Sequence, residues 1–343
     1  MYRSSDTGVT WQLCFDEFLF FTPSTGNFIF ANDGKIVFVS YQGPIYYTLD
    51  DGQTWALGGN EIFNLLVRTR LMPSGTLFKM HLLDGDPFKF YRSDDWGTTW
   101  IACGVELEDG ESPNSVAPLP SGRLLMTTDR RLFYSDDDGI TWSILSTAQQ
   151  KPDFLYWMYS FQDSIILGHY KGALFRSSDG GSNWNFSAYG MGLASTQQLL
   201  FLSDSLQLAQ TATGLWRTAD AGNIWSLLLP DTSTSFSATH TIAAINADSF
   251  AVAISQRVLR TTDAGQTFED ITPSHFLNNG VFKTQNRSLF TNDSSGILRS
   301  VDFGLSWQSV LPGELLLQLE QHPDGALFAR TFSIEPFSNG VHK

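Results

Sequence analysis

The chain of 343 residues has only two cysteines, Cys14 and Cys103, and no run of about 18 apolar residues. Two cysteines cannot build a disulfide framework, and without such a run there is no membrane-spanning helix, so no membrane insertion is expected. Positive charge is also scarce. Lys and Arg number 21 against 35 Asp and Glu, a formal net charge of −14, which argues against nucleic acid or an anionic membrane as partner. Such a surface suits neutral sugars, cations or basic partners. No low-complexity tract or linker divides the chain, and no Gly-x-Ser-x-Gly elbow is present. The six histidines, His81, His169, His240, His275, His322 and His342, form no pair at zinc-ligand spacing, so neither metal nor cofactor is expected.

What the sequence does have is a repeat. "RSSDTGVTW" from Arg3 returns as "YTLDDGQTW" from Tyr47, "RSDDWGTTW" from Arg92 and "YSDDDGITW" from Tyr134. It continues as "RSSDGGSNW" from Arg176, "RTADAGNIW" from Arg217, "RTTDAGQTF" from Arg260 and "RSVDFGLSW" from Arg299. The frame is [Ser/Thr]-x-Asp-x-Gly-x-x-[Trp/Phe], with its aspartates at Asp6, Asp50, Asp95, Asp137, Asp179, Asp220, Asp263 and Asp302. A pattern stamped eight times is a folding device, since chemistry is usually done in one place. An Asp carboxylate can accept backbone N–H groups one and two residues on and fold the chain into a turn. The Gly supplies a positive φ. The Trp opens the next strand and buries roughly 150–250 Å² against a neighbouring sheet.

These segments resemble Asp boxes, the repeats of bacterial neuraminidases and other sialidases, sortilin-type receptors, xyloglucan-degrading hydrolases and photosystem-assembly factors. The resemblance covers the whole chain and implies a shared fold; the functions of those families are unrelated.

The aspartates are spaced by 44, 45, 42, 42, 41, 43 and 39 residues, the size of a propeller blade of roughly 40–45 residues. Between boxes run an apolar stretch, a turn such as Pro73–Gly75, Pro120–Gly122 or Pro323–Gly325, a second apolar stretch and a loop. The expected fold is therefore all-β, with four strands A to D per blade and the box in the C–D turn. The chain begins with a C strand, box and D strand and ends with an A–B hairpin. Pairing those ends would complete an eighth blade and cover two open edges, giving one closed eight-bladed β-propeller domain over residues 1–343. The competing reading is a fragment of a longer array. Met1 stands in strand register with no signal peptide before it. Because the resembling families are mostly secreted or luminal, an extracytoplasmic or secreted location is expected, with a cytoplasmic one as the alternative.

Other repeated residues are structural. Cys14 and Cys103 each follow a box Trp by three, a slot held elsewhere by Leu145, Leu228, Ile271 and Val310, so both read as small buried apolar side chains. Arg3, Arg92, Arg176, Arg217, Arg260 and Arg299 stand three before a box Asp, one per blade, and cannot converge on a substrate. With no Arg-Ile-Pro segment ahead of the first box, sialidase activity is disfavoured.

Departures from the frame are where a site belongs, on the face carrying the D–A and B–C loops. In "PDFLYWMYSF" an A strand carries Asp153, Tyr156, Trp157 and Tyr159, an aromatic platform for sugar or peptide or an aromatic blade interface. Register by the turns sets Val67, Gln197 or Thr241 opposite Tyr156, and Gln198, Ile242 or Gln318 opposite Trp157. In "VRTR", Arg68 and Arg70 share one face by period two, with Glu61 and Glu320 as candidate counter-ions. The loop "GVELEDGESPNS" offers Glu106, Glu108, Asp109 and Glu111 to a cation or basic partner, or to solvent. Trp96, inside a box, has no assigned role.

The reading that follows is a monomeric, non-catalytic binding or assembly scaffold that presents one loop-built face to a protein, peptide or glycan. The alternative is a glycoside hydrolase resembling the xyloglucanases, on the segment Thr213–Trp225. It would need two carboxylates roughly 5–5.5 Å or 6.5–9.5 Å apart. Asp153, Glu61, Glu106, Glu314 and Asp231 lie in suitable loops, and nothing in the sequence pairs any two of them.

Overall fold

The computed structural model describes residues 1–15, 26–30, 35–40, 45–59, 68–72, 74–81, 89–146, 155–161, 164–169, 174–191, 196–231, 241–277 and 280–333. Every regular element among them is a β-strand. The chain begins with β1 (Tyr2–Ser4) and β2 (Gln12–Leu13). Four strands follow as β3 (Gly26–Phe30), β4 (Ile36–Ser40), β5 (Ile45–Thr48) and β6 (Ala56–Gly59). Next come β7 (Arg68–Leu71), β8 (Leu77–His81), β9 (Lys89–Ser93) and β10 (Ile101–Ala102). The third quartet is β11 (Pro113–Pro118), β12 (Leu124–Thr128), β13 (Leu132–Ser135) and β14 (Ser143–Ser146). The fourth is β15 (Leu155–Phe161), β16 (Ser164–His169), β17 (Leu174–Ser177) and β18 (Asn185–Phe186). The fifth is β19 (Thr196–Phe201), β20 (Gln207–Thr211), β21 (Gly214–Thr218) and β22 (Ser226–Pro230). Then run β23 (Thr241–Ala244), β24 (Phe250–Ile254), β25 (Arg257–Thr261) and β26 (Glu269–Asp270). The last quartet is β27 (Phe282–Lys283), β28 (Leu289–Asp293), β29 (Gly296–Ser300) and β30 (Gln308–Pro312), before the hairpin β31 (Glu314–Gln321) and β32 (Leu327–Ser333).

Each quartet from β3 to β30 is one four-stranded sheet with its strands in sequence order. The remaining sheet has the order β2-β1-β32-β31. It joins the two ends of the chain, with Tyr2 opposite Ala329, Arg3 opposite Phe328 and Ser4 opposite Leu327. Two compact units are present: Phe20–Leu208 with Trp216–Leu227, and Met1–Leu19 with Ala209–Leu215 and Leu228–Lys343.

The boxes occupy the turns between third and fourth strands, and their hydrogen bonding differs from the simple Asp turn that sequence suggests. In all eight copies the Ser or Thr hydroxyl donates to the Asp Oδ1 at 2.7–2.8 Å. The Ser or Thr hydroxyl oxygen in turn accepts the box Gly N–H at 2.7–3.0 Å. The Asp accepts the N–H four residues on at 2.8–2.9 Å, not those one and two on. Hydroxyl and carboxylate thus share the work, because a short turn points several N–H groups inward and none has a strand partner.

The box Gly answers to two constraints. Gly139 has φ 79°, and a Cβ there would overlap the Phe78 ring of the preceding sheet. Gly8 meets Phe290 in the same way in the other unit. The aromatic at the end of the box wedges alongside: Trp142 makes edge contacts with Phe78 and Phe90, at centroid distances of 6.4 and 5.7 Å. Each sheet-to-sheet core is consequently small and local. One gathers Met72, Phe78, Phe90, Cys103, Val116, Leu124, Met126 and Phe133. Both cysteines are free thiols, as their repeat slot implies. Burial pushes the Cys103 thiol up to about 12 and raises Cys14 as well.

Ser135→Ala removes the acceptor of the buried Gly139 N–H and is expected to cost roughly 1–3 kcal/mol, read as a lower urea midpoint at unchanged m-value. Hydrogen bonds from the Thr or Ser four residues on hold Asp6, Asp50, Asp137, Asp263 and Asp302 down to about 2. A depressed carboxylate contributes stability that is complete above its unfolded value of about 3.9 and is lost as pH falls through its folded value. Thermal melts are therefore expected to hold steady down to about pH 5 and to fall steeply between about pH 4 and 2.

Candidate functional site

The best-defined departure from the repeat is the loop between β10 and β11. Its centre is Glu111, whose side chain is fully buried. Thr128 Oγ1 donates to Glu111 Oε1 at 2.5 Å, the Glu108 N–H donates to Oε2 at 2.9 Å, and Arg131 Nε reaches both oxygens at 3.0 Å. Arg131 Nη2 also contacts Oε2 and donates to the Glu106 carbonyl at 2.9 Å. The guanidinium lies 4.8 Å over the Phe133 ring. Burial alone would push the Glu111 carboxyl up, yet the Arg131 and Thr128 hydrogen bonds hold it below its ordinary value.

This constellation fastens the D–A loop to the B–C turn of its own sheet. The backbones join it, with Asp129 N–H donating to Ser112 O at 3.0 Å and Ser112 N–H to Asp129 Oδ1 at 2.9 Å. Glu106, Glu108 and Asp109 stay exposed at the tip, beside Arg130, whose Nη1 lies 3.5 Å from Glu108 Oε2. Of the four acids the sequence placed here, three are solvated and Glu111 is the structural anchor.

On the next sheet, β15 runs beside β11: Ser160 Oγ donates to Pro118 O at 2.6 Å, and Met158 packs with Ala117, Leu125 and Leu132. Trp157 stands opposite Gly168, and a bulge falls at Tyr156 between the pairs Leu155↔His169 and Trp157↔Gly168. The same bulge recurs between Pro113 and Ser115 and between Leu316 and Gln318. Arg68 pairs with Met80 and Arg70 with Phe78, which puts both arginine positions on one face of β7. Counted from each box hydroxyl, Arg68, Ser115, Trp157 and Gln318 stand at one level of their sheets. Thr241, opposite Ala253, stands there too, level with Trp157 and not with Tyr156. Four residues separate the paired Ser160 and Ile165 and five separate Ala244 and Phe250, and that difference in turn length accounts for the one-residue slip.

Tyr159 is half-buried. The side chains of Tyr156, Trp157, Arg68 and Arg70, and Asp153 and Glu61 entirely, lie outside the described residues. Gln318 Nε2 donates to Glu320 Oε1 at 3.2 Å, and burial raises the Glu320 carboxyl. Of the acids a hydrolase would draw on, Glu314 accepts the Tyr2 hydroxyl at 3.2 Å, Asp231 accepts Ser255 Oγ at 2.9 Å, and Glu106 is exposed. Spacing alone missed one pair, His322 Nδ1 with Asp324 Oδ1 at 2.8 Å, in the turn between β31 and β32.

A family model described as the BNR/Asp-box repeat matches residues 133–143, the copy that ends in Trp142. Among solved structures the chain is similar to "YCF48 bound to D1 peptide" at 17% identity and TM-score 0.53, covering 73% of this chain and 81% of that one. It is similar to YCF48 from Cyanidioschyzon merolae at 16% identity and TM-score 0.53, covering 79% and 94%. The computationally designed Ika8 protein matches at 12% identity and TM-score 0.58, covering 91% and 97%. A search of curated protein sequences gave no match. With eight boxes in the turns of four-stranded sheets, the chain is a BNR/Asp-box repeat protein of the β-propeller class.

Glu111→Ala leaves Arg131 and Thr128 without their common partner and is expected to cost roughly 2–4 kcal/mol. Hydrogen exchange should accelerate across residues 104–112, and the box turns of distant sheets should keep their protection.

Proposed function

We propose that the eight sheets close into a single eight-bladed ring, one domain over residues 1–343, that serves as a non-catalytic binding or assembly scaffold. Its partner is a protein or peptide, with glycan as the other ligand class. The pairing of β1 with β32 supports the ring, since it leaves no unpaired half-blade at either end. The observation that carries the function is the Glu111–Arg131–Thr128 clamp. It stiffens a D–A loop while leaving Glu106 and Asp109 exposed and Glu108 exposed beside Arg130 and Arg131, and a pre-ordered loop loses less entropy on binding than a free one. Exposed Glu106, Glu108 and Asp109 favour a basic segment. The YCF48 structure solved with a D1 peptide supports this reading by fold likeness alone. A monomer in an extracytoplasmic or secreted location belongs to the same proposal.

The glycoside-hydrolase alternative, resembling xyloglucanase, requires two facing carboxylates with one of them free to ionise or protonate on demand. Glu314 and Asp231 are each engaged by a hydroxyl of their own unit, and no observation favours that reading over binding.

A peptide array and a glycan panel, with Trp157→Ala run alongside and reducing-sugar release assayed in the same wells, test the proposal. Peptide binding that weakens at least tenfold in Trp157→Ala, with no sugar released, is expected. Sugar release above the buffer background would overturn the non-catalytic reading.

A further inference from the structure

The hairpin β31–β32 has two unlike faces. Leu316, Leu319, Leu327 and Ala329 pack with Phe290 and Ile297, so the alternation of the strands puts Gln318, Glu320, Phe328 and Arg330 on the other face. Phe328 is fully buried there, 5.9 Å from the Arg3 guanidinium over its ring. Arg330, half-buried, stands directly opposite Gln318. Its Nε is closed to water and meets no acceptor. Gln318 does not take up that donor: its Nε2 turns to Glu320 Oε1 at 3.2 Å, and its own Oε1 meets no donor.

Among the described residues no carboxylate pairs with Arg330. Burial alone acts on its guanidinium and pulls it below its ordinary value. The acids of the hairpin are engaged elsewhere. Glu314 accepts the Tyr2 hydroxyl, Asp324 takes the Ala326 N–H and lies against His322, and Glu320 bonds to Gln318 while burial raises its carboxyl. A half-buried cation without a counter-ion is costly, and an orphan donor beside an orphan acceptor is rare in a native interior. The neighbouring sheet shows this level filled. Counted from the box hydroxyl, Asn292 of β28 stands level with Arg330. Asn292 is fully buried, and its carboxamide has both partners, donating to Leu316 O at 3.0 Å and accepting the Leu316 N–H at 2.7 Å.

We propose that Arg330 binds the carboxylate of an acidic residue from a partner peptide. Of its guanidinium only Nε is closed to water, so the two Nη groups present a planar edge that matches a carboxylate. An anion fits better than a neutral amide or a sugar hydroxyl, because it supplies the missing counter-charge as well as an acceptor. A cation kept half-buried at a cost to the empty protein is what a binding residue looks like when its ligand is away. The site rests on the peptide reading of the partner, yet its melting test needs no partner, so its failure and the failure of the Trp157 test are separate outcomes.

Arg330→Met keeps most of the side chain's length and removes its charge. In the empty protein it takes away an uncompensated cation and is expected to raise the melting temperature by about 1–4 °C; loss of a structural ion pair would lower it. In the wild-type chain at constant ionic strength, acetyl-Gly-Asp-Gly-amide should shift the Arg330 Nε–H resonance and the Gln318 backbone amide along a saturable curve. Acetyl-Gly-Asn-Gly-amide should do so about tenfold more weakly, and the Gln318 amide of Arg330→Met should respond to neither. A melting temperature of Arg330→Met at or below wild type, or equal or absent shifts with the two peptides, overturns the proposal. So does a stronger response to sodium glucuronate than to the Asp peptide, which would place the carboxylate on a glycan.

Discussion

The structure depends on one hydroxyl per sheet. In each box a Ser or Thr oxygen, buried at the end of its strand, donates to the Asp and accepts the Gly N–H. A hydroxyl suits the position because it can donate and accept at once; a methyl group would leave both partners without a bond in a site closed to water. The Asp then spans four residues to cap the start of the next strand, and its second oxygen takes the hydroxyl of Thr141. These bonds fix where the chain reverses, and that in turn fixes the register of the third and fourth strands.

Because the reversal is fixed, the residues it carries face the neighbouring sheet in a repeatable way. The Gly allows close approach, the aromatic fills what remains, and at Thr7, Trp96, Asp138 and Phe303 the residue between Asp and Gly reaches across to a cation. Trp96 takes this role. It packs with Val37, Leu77, Tyr47 and Trp100 beneath Lys35, at a φ of 62° that a bulky residue adopts only when its surroundings repay the strain. Here cation–π attraction and burial offset that strain.

The frame was legible in the sequence because it repeats in phase: the eight boxes, the strand count and the slot of Cys14 and Cys103 follow from counting alone. The box hydrogen bonds were less so. An Asp two residues before a Gly suggests a local Asx turn, whereas the observed bond to the fourth residue depends on the curl of the whole loop. The slip at Thr241 has a similar origin, since one A–B turn is a residue shorter than the other and composition does not mark which residue is missing. Glu111 was also opaque. Among four acids in six residues, sequence cannot show which one turns inward, because its partners Thr128 and Arg131 lie 17 and 20 residues away.

A strict frame also makes its exceptions informative. Arg123 and Gly180 are ordinary turn residues when read alone, 57 positions apart in the chain. Set on the repeat, one replaces Thr76 and the other Asp138, residues that touch each other in the preceding pair of sheets. Substitution on one side of that contact without a matching side chain on the other leaves Arg123, Ser121, the carboxylates of Asp136 and Asp179, and open volume together. Loss of packing alone would select for closure of the gap by a larger neighbour. Arg123 instead stays stacked on Tyr134 at the edge of the cavity, with over a third of its side chain exposed to solvent. Its bidentate pair with Asp136 keeps the guanidinium neutralised within its own sheet, so the repeat absorbs the exception without disturbing the box turn beside it.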